Sequence, residues 1–230
     1  MADKKNVQFE EVQADDAQQV IERARGFWER YSKIIIYAGG AIILLFGGYF
    51  AYTKFFKEPQ EQKAADAIWH AQKYFQQDSL QKALNGDGQY PGFEKVARQY
   101  GGTKVGNTAK FYAGVCALRL GDAKKAVNFL KDFSTDAKEI QAVAFGRLAD
   151  AYSELNQNND AIKYYEKAGH HFPEQESLSA ENLFRAGLKC ETLGKNADAV
   201  KYYKEIKEKY PRTDRGYQID KYLARLGEVK

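Results

Sequence analysis

From Ile34 to Thr53 the chain runs for twenty residues without a charged side chain. Twenty helical residues reach about 30 Å, the thickness of a bilayer's hydrocarbon core. A helix suits that layer because it pairs every backbone polar group internally. The flanks carry interface chemistry: Trp28 and Tyr31 precede the run, and Tyr49, Tyr52, Phe55 and Phe56 close it. Lys33, Lys54 and Lys57 have stems long enough to place their charges among headgroups. A buried core helix would not be bounded by charge at both ends. A cleaved leader fits poorly too, since 33 residues precede the run and no small-x-small cleavage site follows it. The expectation is an uncleaved membrane helix over 34–56, behind a tail and juxtamembrane helix over 1–33. The N-side flank carries Arg23, Arg25, Arg30 and Lys33, the C-side flank Lys54, Lys57 and Lys63. That bias places the N-terminus in the cytoplasm and residues 57–230 across the membrane.

Composition constrains what residues 57–230 can be. Sixteen tyrosines, fourteen phenylalanines and only four prolines favour a packed helical domain over disorder. The net charge of +4 is spread along the chain and forms no basic block, so nucleic acid is not an expected partner. Cys116 and Cys190 each sit in an apolar, helix-like segment and read as buried gap-fillers. His70 stands alone, and the adjacent His170 and His171 diverge on any helix, so no metal site is expected. No nucleophile–base set, paired buried carboxylates or phosphate loop can be assembled. The expectation is a binding protein without a cofactor, and an enzyme is the remote alternative.

Three windows then align at a period of about 34 to 38 residues: 107–140, 142–175 and 180–213. Each reads as helix, short turn, helix. Gly121, Asn156 and Gly194 fall where the first helix must end, and all three tolerate positive φ. Ala126, Ala161 and Ala199 open the second helices, where a small side chain lets two helices approach closely. Tyr165 and Tyr203 fill the groove beyond, and Pro173 and Pro211 stop the second helix. A degenerate unit over 62–103 precedes these, since Phe93, Val96, Tyr100 and Thr103 echo Tyr203, Ile206, Tyr210 and Thr213. Its two halves are separated by a glycine-rich loop, Leu84 to Gly92. A capping helix is expected over 216–228.

These positions resemble the tetratricopeptide repeat, in which helix–turn–helix units of 34 residues follow a W-x2-L-G-x2-Y, A-x3-F, P pattern. Phe145, Leu148, Ala149, Tyr152, Ala161, Tyr165, Ala168 and Pro173 carry it in one copy. Leu183, Ala186, Gly187, Cys190, Ala199, Tyr203, Ile206 and Pro211 carry it in the next. The first copy keeps Gly114, Ala126 and Leu130 but lacks the proline. The resemblance implies an all-α tetratricopeptide-repeat solenoid of three to four units plus a capping helix, behind one transmembrane helix. It also implies that the first helices line a concave groove that grips polypeptides. The groove residues it selects are Phe111, Val115, Arg119, Asp150, Glu154, Phe184, Leu188 and Glu191. Phe111 and Val115 occupy two positions of the clamp that grips chaperone C-terminal carboxylates in some relatives, so that subtype is not expected.

An N-terminal anchor before such repeats is similar to the bacterial ancillary Sec-translocon subunit family. That likeness implies an inner-membrane protein with a periplasmic repeat domain, and translocon subunits or periplasmic chaperones as partners. The repeat ending F-x-x-V-x-x-x-Y-x-x-T also resembles outer-membrane assembly and cell-division coordinator proteins, which leaves an envelope-assembly scaffold as the alternative.

Overall fold

The computed structural model describes residues 3–228, with side chains from residue 21 onward, and no strand occurs among them. The chain divides into two units, Met1–Glu58 and Pro59–Lys230. The first unit is α1 (Asp3–Tyr52) followed by a π-helical turn (Thr53–Lys57). The N-terminal tail expected from sequence is helical from Asp3, and its side chains up to residue 20 lie outside those described. The apolar run is bare of protein: Leu44 and Leu45 are 77% and 73% exposed. This helix is long and apolar enough to cross a membrane. The π turn begins as the run ends, where the Thr53 hydroxyl donates to the Phe50 carbonyl at 2.9 Å.

The second unit is a stack of helical hairpins. In chain order it comprises α2 (Glu58–Gln76), α3 (Leu80–Asn85), α4 (Phe93–Gln99), α5 (Lys104–Arg119) and α6 (Ala123–Lys131). It continues through α7 (Lys138–Glu154), α8 (Asn158–His171), α9 (Glu176–Thr192), α10 (Asn196–Lys209) and α11 (Asp214–Arg225). The pairs α5/α6, α7/α8 and α9/α10 are the hairpins.

A pair of small residues recurs in each hairpin. Ala126, Ala161 and Ala199 are wholly buried, and twelve residues before each stands Gly114, Ala149 or Gly187. The space is tight. A Cβ added at Gly114 would come within 2.5 Å of the Leu130 side chain, and one at Gly187 within 2.5 Å of the Tyr203 ring. Small side chains therefore set how closely the two helices of a hairpin approach. The larger residues one turn further on, Leu130, Tyr165 and Tyr203, fill what is left. Two buried clusters result, one from Ile68 to Ala186 and one from Ala180 to Leu223, and Tyr202 packs against both.

The first helix of each hairpin ends the same way. Gly121, Asn156 and Gly194 have φ of +79°, +59° and +71°. The amide after each donates to the carbonyl five residues before it, at 2.9 Å: Asp122 to Ala117, Gln157 to Tyr152, Lys195 to Cys190. This is the Schellman ending, which turns the chain sharply. It recurs at Asp78 (φ +58°) after α2 and at Gly227 (φ +82°) after α11. Both helices are therefore of the first-helix type. In α11 the position of Gly114, Ala149 and Gly187 is taken by Asp220, which pairs with Lys207 at 2.7 Å. A charged residue thus stands where the other first helices carry a small one.

Threonine caps mark two junctions. Thr103 Oγ1 accepts from the Gly106 amide at 2.9 Å and donates to the Tyr100 carbonyl at 2.8 Å. Thr213 does the same with Gly216 and Tyr210, at 3.1 and 2.8 Å. The segment read as a glycine-rich loop is partly helical: α3 buries Ala83 and Leu84. The remainder is closed by the Asp87 carboxylate, which accepts from the amides of Gln89 and Tyr90 and from the Tyr74 hydroxyl at 2.6–3.0 Å. Tyr90 stacks on His70 with ring centroids 3.3 Å apart.

Ala161→Trp is expected to force α7 and α8 apart and to cost about 3 kcal/mol or more. Thermal melting followed by circular dichroism checks this; an unchanged midpoint would mean that Ala161 does not sit at the helix contact.

Candidate functional site

Stacking aligns the first helices α5, α7, α9 and α11 side by side, and their exposed faces form one surface. That surface has two parts of opposite character.

Over α7, α9 and α11 it is knitted shut by charge. Asp150 accepts from Arg147 at 3.1 Å, from Arg185 at 2.9 Å and from the Tyr165 hydroxyl at 2.6 Å. Glu181 takes Arg185 on one oxygen at 2.7 Å and Arg215 on the other at 2.6 Å. Glu191 accepts from the Tyr203 hydroxyl at 2.9 Å and from Arg225 at 2.8 Å. In each inter-helix pair the arginine follows the carboxylate by 34 or 35 residues, one repeat period. Burial and then the hydrogen bond to their carboxylate push the Tyr165 and Tyr203 hydroxyls well above the usual phenol range, so both remain donors. A cleft of only about 90 Å³ remains between α7 and α9.

Between α5 and α7 the surface is open. A cleft of about 640 Å³ has an apolar floor of Phe111, Tyr112, Phe133, Ile140 and Val143. Lys104, Asp136 and Glu139 supply its charged groups. Its origin lies in the length of α6. Phe133 holds the position of Ala168 and Ile206, seven residues after the hairpin alanine, yet α6 ends at Lys131 after nine residues, while α8 and α10 run fourteen. The missing turns leave space beside the N-terminal halves of α5 and α7. The segment between is held by Asn107, whose amide donates to the Ser134 carbonyl at 2.7 Å, and by Gln141, which accepts from the Thr135 amide at 2.8 Å.

The eight groove residues selected from sequence fall into different settings. Phe111 lines the open cleft, its centroid 5.3 Å from that of Phe133. Val115, one turn on, is half-buried, and Leu188 packs against the C-terminal cluster. Arg119 is exposed and paired with Asp78 at 2.8 Å. Glu154 is exposed, with no ion pair among the described residues. Asp150 and Glu191 are engaged in the pairs just described. Phe184 is a correction: it is only 2% exposed, packed edge-on to Tyr222 with centroids 4.7 Å apart and covered by the Arg215 guanidinium at 4.0 Å. The capping helix supplies both of those neighbours, and so Phe184 offers no face to a ligand. The pattern did not select Ile140, Phe133, Asp136 or Glu139. The sequence signal for them was Ile140, the one large apolar residue within the polar run 134–141, and the structure leaves it 48% exposed.

Cys116 and Cys190 are buried and free, and burial pushes the Cys116 thiol up to about 12. Such a thiol is a packing group, not a nucleophile. No cluster of three His, Cys, Asp or Glu side chains fit to hold a metal occurs among the described residues.

Paired helices stacked around a shared surface define this as a helical-repeat protein of the α-solenoid class, whose members serve as interaction scaffolds. The chain belongs to the tetratricopeptide repeat-like domain family, whose model matches residues 25–216. No curated protein matches it.

Burial raises the Glu181 carboxyl, but Arg215 and Arg185 outweigh it and hold the group below its ordinary value. A carboxyl depressed by folding contributes stability above its unfolded pKa of about 4.3 and loses it as pH falls through the folded value. The melting midpoint should therefore drop on acidification below about pH 4.5, and less steeply in Glu181→Gln. Parallel slopes for the two proteins would show that Glu181 carries no such linkage.

Proposed function

We propose that the chain is a membrane-anchored interaction scaffold. Its repeat domain stands on the periplasmic side of a bacterial inner membrane and engages polypeptides at or near the Sec translocon. The observation that carries the reading is the pairing, in one chain, of a bare apolar helix with a repeat surface open at one end. An apolar helix with exposed Leu44 and Leu45 requires lipid or a partner helix around it. Family membership supports protein or peptide partners in general. The arginine-rich N-side flank supports a cytoplasmic N-terminus. The small apolar cleft at Phe111 supports capture of side chains from an extended chain, with translocon subunits or periplasmic chaperones as the expected neighbours.

The threonine-capped repeat endings at Thr103 and Thr213 favour a second reading, an envelope or outer-membrane assembly scaffold. The two readings differ in which proteins lie within crosslinking distance.

A photoreactive residue placed at Ile140 in intact cells should crosslink to translocon subunits, to chaperones or to proteins in transit, and protease added to spheroplasts should digest the repeat domain. Crosslinks to outer-membrane assembly components would select the second reading. A repeat domain digested only after lysis would overturn the proposed sidedness, and with it both envelope roles.

A further inference from the structure

The two ends of the repeat surface are built from the same hairpins, yet one cleft is about 640 Å³ and the other about 90 Å³. Sites that enclose small ligands or single anchoring side chains span roughly 300–1,000 Å³, so of these two clefts the α5–α7 one has the room. Where α7, α9 and α11 face one another, Asp150, Glu181 and Glu191 are already paired within the chain, with Arg147, Arg185, Arg215 and Arg225. Little remains there to recognise a partner.

The open cleft differs in its free chemistry as well as in its volume. Phe111 and Ile140 offer apolar surface from opposite walls, Ile140 being 48% exposed. Leaving such surface in water is unfavourable, and an inserted apolar side chain would cover it. Three charged side chains line the cleft: Lys104 from α5, Asp136 from the segment before α7, and Glu139 from its first turn. Asp136 has no ion pair among the described residues, and Glu139 accepts only a hydrogen bond from the Gln175 amide at 3.2 Å. The α7 side is therefore an acidic edge beside an apolar floor. Lys104 stands on the α5 side, so the cleft is polarised: a cation on the α7 side of the anchoring side chain would gain from both carboxylates, and an anion on that side would be repelled.

We infer that the α5–α7 cleft is a recognition pocket for an extended polypeptide segment that presents a large apolar side chain flanked by lysine or arginine. This rests on the reading of the chain as a polypeptide-binding scaffold and narrows it to one place and one ligand chemistry. Specificity is charge-directed and the apolar anchor supplies the contact. Segments with an acidic residue on the α7 side of the anchor are disfavoured by Asp136 and Glu139, which is how one pocket distinguishes among many apolar sequences.

Fluorescence anisotropy with full-length protein in lipid nanodiscs tests the inference. The probes are short labelled Gly-Ser peptides with Lys-Phe-Lys, Glu-Phe-Glu or Lys-Ala-Lys at the centre. Lys-Phe-Lys should bind about tenfold or more tighter than either of the others, with the margin over Glu-Phe-Glu shrinking as salt is raised. The double variant Asp136→Lys/Glu139→Lys should reverse the order of the two phenylalanine peptides, and Ile140→Asp should weaken both. All three positions are exposed, so these changes spare the core. Equal affinities for the three peptides, or an order unmoved by charge reversal, would overturn the inference. If Ile140 still crosslinked polypeptides in cells in that case, the scaffold reading would stand without it. An absence of crosslinks would remove the scaffold reading as well.

Discussion

The close approach of two helices at a pair of small side chains underlies every larger feature of the repeat domain. Ala126, Ala149, Ala161 and Ala199 are wholly buried, and Gly114 and Gly187 lie so close to Leu130 and Tyr203 that a Cβ at either would clash. Helix pairs meeting at large residues sit near the wide end of the usual 8–10 Å spacing, and those meeting at small ones near the narrow end. The narrow spacing sets where Leu130, Tyr165 and Tyr203 can lie. Those residues fill the gap between helices, and two of them reach a carboxylate with their hydroxyls, Tyr165 at Asp150 and Tyr203 at Glu191. The hydroxyl–carboxylate contact then orients the acid toward an arginine on the next first helix. A packing constraint inside two of the hairpins thereby feeds an ordered row of ion pairs along α7, α9 and α11.

That row decides where the surface is available. Exposed ion pairs contribute about 0–1 kcal/mol each, so its importance is geometric more than energetic. It occupies the charged groups along α7, α9 and α11 and draws the helices together across the groove. At α5 the sequence of events differs: α6 stops early and Phe133 leaves the helix while keeping its buried position, 7% exposed. The cleft is the consequence. One end of a regular array is thus left open by the shortening of one helix, with no separate binding element.

Much of this was legible in the sequence, for identifiable reasons. The alanines 126, 161 and 199 and the turn residues 121, 156 and 194 recur at nearly constant intervals because each does one local job with few permitted residue types. Local rules of that kind can be read without knowing the neighbours. The ending of α6 could not be read so, since Phe133 continues the apolar pattern that its helix abandons. The helix α3 was hidden by its length: six residues carry too little periodicity to stand out beside Gly86, Gly88 and Gly92. Among the groove residues, Phe111 was placed by the repeat register alone. Phe184 shares that logic and still lies buried, because Tyr222 and Arg215 arrive from a helix thirty or more residues later. Asp150 and Glu191 were placed in the groove on the same logic, and their engagement in ion pairs could not be read from it. Their partners stand one repeat further along, and the recurrence of an arginine about 34 or 35 residues after a carboxylate was the clue in the sequence itself.

The claim that small-residue contact sets the hairpin is tested most directly by a double-mutant cycle at Gly187 and Tyr203, whose ring a new Cβ would approach to 2.5 Å. Gly187→Ala and Tyr203→Leu should each lower the melting midpoint. Together they should lower it by clearly less than the sum, because the smaller side chain leaves room for the added methyl group. Strictly additive losses would contradict the account, since they would mean that the two positions do not share the space assigned to them.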